Sequence, residues 1–252
     1  MPLSNETVFR EFEETRVVDW QKENAPSAWT TSRAKRIFDV AVVLASAPIL
    51  LPLLVLIALV IRLFSGAPIL FRQARIGAFG RPFVIYKFRT MHSGNCDRSP
   101  TVAVLSAHQV TPVGHILRRS KLDELPQIFN VLIGNMSLVG PRPKVREQQL
   151  ARLLCRPGIT GAATLFFARE DSLFAQIPPD ALPGYYRTVV LPVKQQIDAD
   201  YMQSATLLSD LRILSRTLIG RWGPSTSTAA IRLEHTEALR FMHDACETQS
   251  CK

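Results

Sequence analysis

Cysteine and histidine are scarce in this chain, which holds four cysteines and five histidines among 252 residues. Cys96, Cys155, Cys246 and Cys251 are scattered and form no CxxC pair or histidine-containing zinc pattern. In a cytoplasmic domain such thiols stay reduced, so a disulfide framework is not expected. The chemistry of the protein must therefore rest on other side chains.

Acidic residues are outnumbered as well, with 21 Asp and Glu against 30 Lys and Arg, a net charge of +9 and a pI near 9.8. The usual nucleic-acid-binding motifs are missing, and the basic residues stand beside apolar segments. Anionic lipid headgroups attract such residues, and a nucleotide diphosphate would do the same. We expect membrane lipid and an anionic substrate as partners, and no nucleic acid.

Charge is absent from the stretch Val40 to Ile61, VAVVLASAPILLPLLVLIALVI. A straight helix of this length measures about 33 Å, enough to cross the hydrocarbon core of a bilayer. Pro48 and Pro52 lie inside it and favour a kink. Basic residues flank both ends, so the positive-inside rule gives no direction of crossing. On these residues alone, a kinked single-pass anchor is favoured.

Two adjacent carboxylates, Asp123 and Glu124, stand among cations in the stretch Leu117 to Pro143; the cations are Arg118, Arg119, Lys121 and Arg142. A structural explanation is available, because Ser120 followed three residues later by an acid fits a helix capping box. Apolar residues then recur at helical spacing until Gly134, which predicts the end of that helix. A chemical explanation is also available, since carboxylates can attack phosphorus or hold a divalent metal. On spacing alone, the structural explanation is favoured.

The whole string LRRSKLDELPQIFNVLIGNMSLVGPRP decides between them. It resembles the signature of the bacterial sugar transferases, monotopic phosphoglycosyl transferases that load a sugar phosphate onto a polyprenyl phosphate carrier. KRIFDV at Lys35 to Val40, YKFRTM at Tyr86 to Met91 and RPGITG at Arg156 to Gly161 resemble further landmarks in the family order. The resemblance covers about residues 34 to 219.

The resemblance implies an α+β fold: a membrane-associated monotopic domain with a proline-kinked re-entrant helix, a short β-hairpin and amphipathic surface helices. It divides the chain into an N-terminal extension (1–33), the membrane helix (34–66), a catalytic domain (67–220) and a C-terminal extension (221–252). It also implies that the catalytic domain lies on the cytoplasmic face of the bacterial inner membrane.

Two basic positions lie in the predicted hairpin, whose strands are separated by Ala78, Phe79 and Gly80. Lys87 and Arg89 would share one face of the second strand. A solvated basic edge is the ordinary explanation, but the resemblance of YKFRTM implies a substrate-binding role for both. Other predicted elements are a loop from Ser93 to Thr111, a helix from Gln196 to Leu218 and a C-terminal helix from Ala229 to Cys246.

Arg142 lies between two prolines in Gly140 to Pro143, a segment of restricted backbone freedom. A guanidinium on such a support matches phosphate oxygens well. We therefore predict Arg142 and Arg118 as phosphate ligands.

The resemblance implies a two-step displacement in which Asp123 attacks the β-phosphorus of a UDP-sugar and polyprenyl phosphate then takes the phosphosugar. Asp123 and Glu124 are the catalytic pair, and both, Glu124 foremost, are the expected ligands of Mg²⁺. Direct attack by the lipid phosphate and a non-catalytic membrane scaffold for polysaccharide assembly remain alternatives. The identity of the sugar does not follow from the sequence, and a homo-oligomer is compatible with it.

Overall fold

The computed structural model describes residues 25–92, 110–145, 153–168, 174, 177–178 and 181–219. Most of the loop predicted from Ser93 and the helix predicted from Ala229 lie outside these residues. The described chain combines helices with two small two-stranded sheets. The mixed α and β content expected from the sequence is confirmed.

A short helix, α1 (Ala28–Thr31), precedes the long apolar helix α2 (Arg33–Ser65). Ser32 caps the start of α2, where its hydroxyl accepts a hydrogen bond from the amide of Lys35 at 3.0 Å. The helix continues through Pro48 and Pro52 and ends at Gly66, which has a φ of 74°. By length and composition, α2 is the one described helix long and apolar enough to cross a membrane.

The first turns of α2 are fixed to the rest of the domain by polar side chains. Three of them bind three different elements: Lys35 forms a buried ion pair with Asp210, Arg36 donates to the carbonyl oxygens of Val131 and Leu132, and Asp39 accepts from the amide of Leu138. The ion pair is extended by Tyr201, whose hydroxyl lies 2.8 Å from Asp210. These contacts hold one end of α2 against the domain.

The other end of α2 is held by Arg89. Its guanidinium donates to the carbonyl oxygens of Ser65, Gly66 and Ala67, which satisfies groups that a helix end leaves unpaired. Between the two ends, α2 contributes to one hydrophobic core with the hairpin and later helices; its core members are Val43, Leu54, Ile57 and Ile61. Both ends of α2 therefore attach to the same domain.

The predicted hairpin is confirmed. Strands β1 (Leu70–Ile76) and β2 (Pro82–Phe88) pair antiparallel, with Lys87 opposite Phe71. Phe79 and Gly80 have positive φ angles of 56° and 76° in the connecting turn. The amide group of Asn130 donates to the carbonyl of Val84 at 2.7 Å, which docks a later helix beside β2.

The prediction that a helix begins at Ser120 is wrong. Thr111 caps α3 (Pro112–Arg119), and Ser120 lies at the C-terminal end of this helix, where its hydroxyl donates to the carbonyl of Ile116. Lys121 then adopts a left-handed conformation with a φ of 59°, which interrupts the helical path. The acids lie in a 3₁₀ turn, Leu122–Glu124, before α4 (Gln127–Ile133).

Two short strands support the segment that follows α4. Strand β3 (Ser137–Val139) pairs parallel with β4 (Gly158–Thr160), which belongs to the RPGITG motif. A side chain at Gly158 would overlap the backbone of Gly140, so the absence of a Cβ permits the close approach. The short helix α5 (Ala162–Phe166) follows β4.

The helix predicted from Gln196 to Leu218 is two helices. A helical segment begins with α6 (Leu182–Tyr185), passes through a π-helical turn (Tyr186–Val190) and continues as α7 (Leu191–Ser204). Ala205 is extended, and α8 spans Leu207–Ile219. Thr206 and Ser209 exchange side-chain and backbone hydrogen bonds at this start, a reciprocal cap that explains the break.

The predicted end of the helix at Gly134 is confirmed, because Gly134 has a φ of 97° and its amide donates to the carbonyls of Asn130 and Val131.

We expect Gly134→Ala to lower the free energy of unfolding by about 1 kcal/mol, since a Cβ is strained in this conformation. Gly184→Ala is the matched control, because Gly184 lies within α6 without a neighbouring atom in the way. Urea denaturation checks the pair, and equal stabilities would contradict the expectation.

Candidate active site

Glu124 lies between two cations contributed by different parts of the fold. Lys87 of β2 donates from Nζ to Oε1 of Glu124 at 2.8 Å, and the guanidinium of Arg142 pairs with the same oxygen. Nearby positive charge holds the pKa of Glu124 well below its ordinary value, although burial opposes the shift. The structure therefore brings together three of the predicted site residues, with Glu124 ionised.

Asp123 is half-buried beside this cluster. Burial, followed by the charge of Glu124, raises the pKa of Asp123, while Lys87, Arg118 and Arg142 oppose the shift. Asp123 lies in a 3₁₀ turn and not at the start of an α-helix, so no helix dipole favours its ionised form. Within the described ranges, no side chain donates a hydrogen bond to its carboxylate. Asp123 is thus the more basic acid of the pair and is open to a ligand.

Arg118 reaches the cluster from the last turn of α3. Its Nε donates to the hydroxyl of Thr90 at 2.9 Å, which fixes the guanidinium beside the loop that follows β2. Its positive charge opposes the rise in the pKa of Asp123 that burial and Glu124 cause. Arg118 therefore lies near enough to the acids to influence Asp123, and its role as a phosphate ligand stays a prediction.

Arg142 is supported by backbone hydrogen bonds on both sides of its segment. The amide of Gly140 donates to the carbonyl of Thr160, and the amide of Gly158 donates to the carbonyl of Pro141, each at 2.9 Å. The side chain is 42% exposed although its guanidinium contacts Glu124. An arginine held in this way can meet an incoming phosphate with little loss of backbone freedom.

Arg89 does not join this cluster. Its side chain is buried, and the guanidinium caps the end of α2 as described above. The substrate-binding role predicted for Arg89 is therefore replaced by a structural one. Lys87 and Arg89 lie only two residues apart, but Arg89 follows the last residue of β2 and turns toward α2.

The residues present fit a magnesium ion in one respect. Mg²⁺ is usually bound through one or two carboxylates, with water and substrate phosphates completing its shell. Asp123 offers such a carboxylate, whereas Oε1 of Glu124 already contacts Lys87 and Arg142. No cluster of three or more His, Cys, Asp and Glu occurs in the part of the chain that the structure describes. Asp123, and not Glu124, is the better candidate ligand.

One thiol lies within the described residues and can be set aside as a nucleophile. Cys155 is buried in the core beside Tyr201 and Met202. Burial raises the pKa of Cys155 to about 12, so the thiolate is not available near neutral pH.

Sequence reasoning missed a second buried ion pair close to Arg142. Lys144 lies two residues further along, and its Nζ is 3.7 Å from Oδ2 of Asp198 in α7. Nothing local in the sequence links these two residues, because the contact depends on how α7 packs. An acid at a helical position between apolar neighbours, as in QIDADYM, was the available signal.

The chain is similar to known proteins over most of its length. A model of the bacterial sugar transferase family matches residues 30–222. A UDP-glucose:undecaprenyl-phosphate glucose-1-phosphate transferase of Caulobacter vibrioides is 40% identical over 196 residues, which are 73% of this chain and 68% of that protein.

Two further relatives differ in length. A protein of the same name from Escherichia coli strain K12 is 33% identical over 77% of this chain, but the match spans only 41% of that protein. The exopolysaccharide production protein PSS of Rhizobium leguminosarum is 33% identical over 73% of this chain and 93% of its own length. The match thus spans nearly all of the Rhizobium leguminosarum protein and less than half of the Escherichia coli protein.

Proposed function

Because the chain belongs to the bacterial sugar transferase family, we propose that it transfers a sugar 1-phosphate from a UDP-sugar to undecaprenyl phosphate and releases UMP. The names of its relatives support this donor and this acceptor. The observation that carries the proposal is the carboxylate of Asp123, open beside a cluster of three cations. Transfer of this kind is the first membrane step in building a polysaccharide or glycoconjugate.

The first step is attack by a carboxylate oxygen of Asp123 on the β-phosphorus. A bond forms between that oxygen and phosphorus, while the bond from phosphorus to the bridging oxygen breaks and UMP leaves with this oxygen. In the second step an oxygen of undecaprenyl phosphate attacks the same phosphorus and displaces Asp123, which returns as a carboxylate. A raised pKa suits the nucleophile, because the more basic carboxylate attacks more readily.

The cations reduce the repulsion between the carboxylate and the anionic substrate. Arg142 and Lys87 are held near the point of attack by Glu124, and the charge of Arg118 also acts on Asp123. Positive groups positioned in advance stabilise charge that develops on the transferring phosphoryl group. A bound Mg²⁺, held by Asp123, would shield the phosphate oxygens further. Glu124 orders the two cations, and its charge opposes the lowering of the pKa of Lys87 by burial.

We further propose that α2 enters the membrane and returns on the same side, with the catalytic domain on the cytoplasmic face of the inner membrane. The support is that Lys35 near its start and Ser65 at its end both bind the same domain. A straight helix of this length measures about 50 Å, and its middle exposes large apolar side chains such as Ile49. A helix crossing once would carry its two ends to opposite sides.

Cysteine labelling tests this topology. Ala28→Cys and Ala74→Cys place a thiol at an exposed position before and after α2. The variants are made in a background that lacks the four native cysteines. An impermeant maleimide should label both positions in inside-out vesicles and neither in right-side-out vesicles. Labelling of the two positions from opposite sides would contradict the proposal.

An assay of UMP release tests the proposed activity. Purified protein in detergent is given undecaprenyl phosphate, Mg²⁺ and each member of a panel of UDP-sugars. At least one donor should give UMP and a lipid-linked sugar in equal amounts. The scaffold alternative requires that no donor gives UMP, and silence across the panel would contradict the proposal.

The pH dependence of the activity follows from the pKa of Asp123. Because only the ionised carboxylate attacks, kcat/KM should fall as the pH drops through a pKa that lies above the ordinary value of about 3.9. We expect Arg118→Met to move this fall to higher pH, since Arg118 favours the ionised form. Arg119→Met is the matched control, because Arg119 is exposed in the same turn. A pH profile unchanged by Arg118→Met would contradict the assignment.

A further inference from the structure

The segment that carries Arg142 is held by more than its neighbouring strands. On one side, the amide of Ile76 donates to the carbonyl of Lys144 at 3.1 Å, and Arg75 donates to the carbonyl of Pro143 at 3.5 Å. These bonds tie the segment to the hairpin through its backbone. They leave the position of the Lys144 side chain to be set by other contacts.

That side chain is held from the opposite side by α7. Nζ of Lys144 lies 3.7 Å from Oδ2 of Asp198, and the two side chains are only 16% and 6% exposed. A pair this well buried is screened little by salt and resists separation, because an unpaired buried charge is costly. The segment from Arg142 to Lys144 is therefore clamped between the hairpin and α7.

We propose that Asp198 is a positioning residue that, through Lys144, holds Arg142 where it meets the phosphate of the sugar donor. The inference rests on the proposed function and deepens it by assigning a role to α7. Asp198 acts through Lys144 and the position of Arg142, because its contact is with the segment that carries the phosphate ligand.

The charged surroundings of Asp198 make this position sensitive to pH. Lys144 from the Arg142 segment, Lys194 from α7 itself, Arg142 and the thiol of Cys155 all face it. Burial is the largest influence and raises the pKa of Asp198 to about 6, while the three cations oppose it. Protonation of Asp198 near this pH removes the charge that holds Lys144.

Stability and binding should respond in opposite directions to that protonation. A carboxyl whose pKa is higher in the folded than in the unfolded state gains a proton more readily when folded. As the pH falls from 7 to 5, protonation of Asp198 therefore stabilises the fold slightly, while the ion pair that holds Lys144 is lost. A purely structural role for Asp198 would not separate these two readouts.

Steady-state kinetics of Asp198→Asn test the inference, with Asp200→Asn as the control on an exposed turn of the same helix. In the wild type we expect KM for the UDP-sugar to rise about tenfold as the pH falls, in a step centred near pH 6. In Asp198→Asn, KM at pH 8 should already be raised about tenfold and the step should be gone. The control should keep the wild-type step, and its KM and kcat at pH 8 should each stay within about twofold of the wild-type values.

A double-mutant cycle with Lys144→Met makes the test independent of one variant. Lys144→Met should also raise KM about tenfold. Lys144→Arg, which keeps the positive charge, should have a KM close to that of the wild type. The double variant Lys144→Met with Asp198→Asn should have a KM no higher than that of either single variant. The inference would be overturned if the increases in KM of the two single variants multiplied in the double variant. A KM step near pH 6 that survives in Asp198→Asn would overturn it as well. Absence of UMP release by the wild type would instead contradict the proposed function.

Discussion

Asp123→Asn should lower the rate of UMP release by at least about a thousandfold. An amide nitrogen or oxygen cannot form the ester with phosphorus on which the first step depends, so nothing else in the cluster replaces it. The loss should appear in kcat with the UDP-sugar still bound, because Arg142, Lys87 and Arg118 remain in place. Initial rates of UMP formation measure the effect.

The fold should tolerate this substitution. Burial and Glu124 already disfavour the charged form of Asp123, as its raised pKa indicates, so a neutral amide of the same shape is acceptable there. The midpoint of thermal unfolding should remain within a few degrees of the wild type. Asp200→Asn controls for loss of an exposed carboxylate. Substantial turnover by Asp123→Asn would rule out Asp123 as the nucleophile.

Glu124→Gln should have the second large effect, and it should act on stability as well as activity. The change leaves Lys87 and Arg142 without their shared anion. Arg142 is 42% exposed and loses little, but Lys87 and Glu124 are largely buried, and breaking such a buried pair costs about 3 kcal/mol. Urea denaturation at pH 7 measures the loss. UMP release should also fall, because the two cations are no longer held toward the substrate.

The pH dependence of that loss supplies an internal check. The pKa of Glu124 is lower in the fold than its ordinary value of 4.5, so its contribution to stability is present above about pH 4.5 and disappears as the pH falls below it. The difference between wild type and Glu124→Gln should therefore shrink in acid. A variant as stable as the wild type at pH 7 would show that Glu124 does not hold the two cations.

The two adjacent acids thus have different environments and different tasks. Glu124 is held ionised by two cations, and Asp123 is pushed toward the neutral form by burial and by its neighbour. Environments that separate the pKa values of neighbouring carboxyls often mark a division of roles in catalysis. The sequence identified the pair and named both acids as metal ligands, Glu124 foremost, because it could not show that Lys87 and Arg142 converge on Glu124.

Local signals in the sequence predicted the elements that depend on local chemistry. The hairpin followed from two apolar runs around Ala78 to Gly80, and the end of α4 followed from Gly134. The restricted backbone around Arg142 followed from its two prolines, and the structure adds the bonds to β4 that support it.

Elements that depend on tertiary packing were not predictable in this way. Ser120 matches a capping box, but Lys121 takes a left-handed conformation that no residue type announces, so the helix starts later. Arg89 follows Lys87 closely, yet the open carbonyls at the end of α2 bind it. Asp198 meets Lys144 only because α7 packs beside the Arg142 segment.

The most direct test of the account is to trap the covalent intermediate. Wild-type protein is mixed with an active UDP-sugar in the absence of undecaprenyl phosphate, quenched, and digested for peptide mass spectrometry. The peptide that contains Asp123 should gain the mass of one sugar phosphate, and added undecaprenyl phosphate should discharge it. Turnover by a protein that never carries this adduct, or carries it on another residue, would contradict the account.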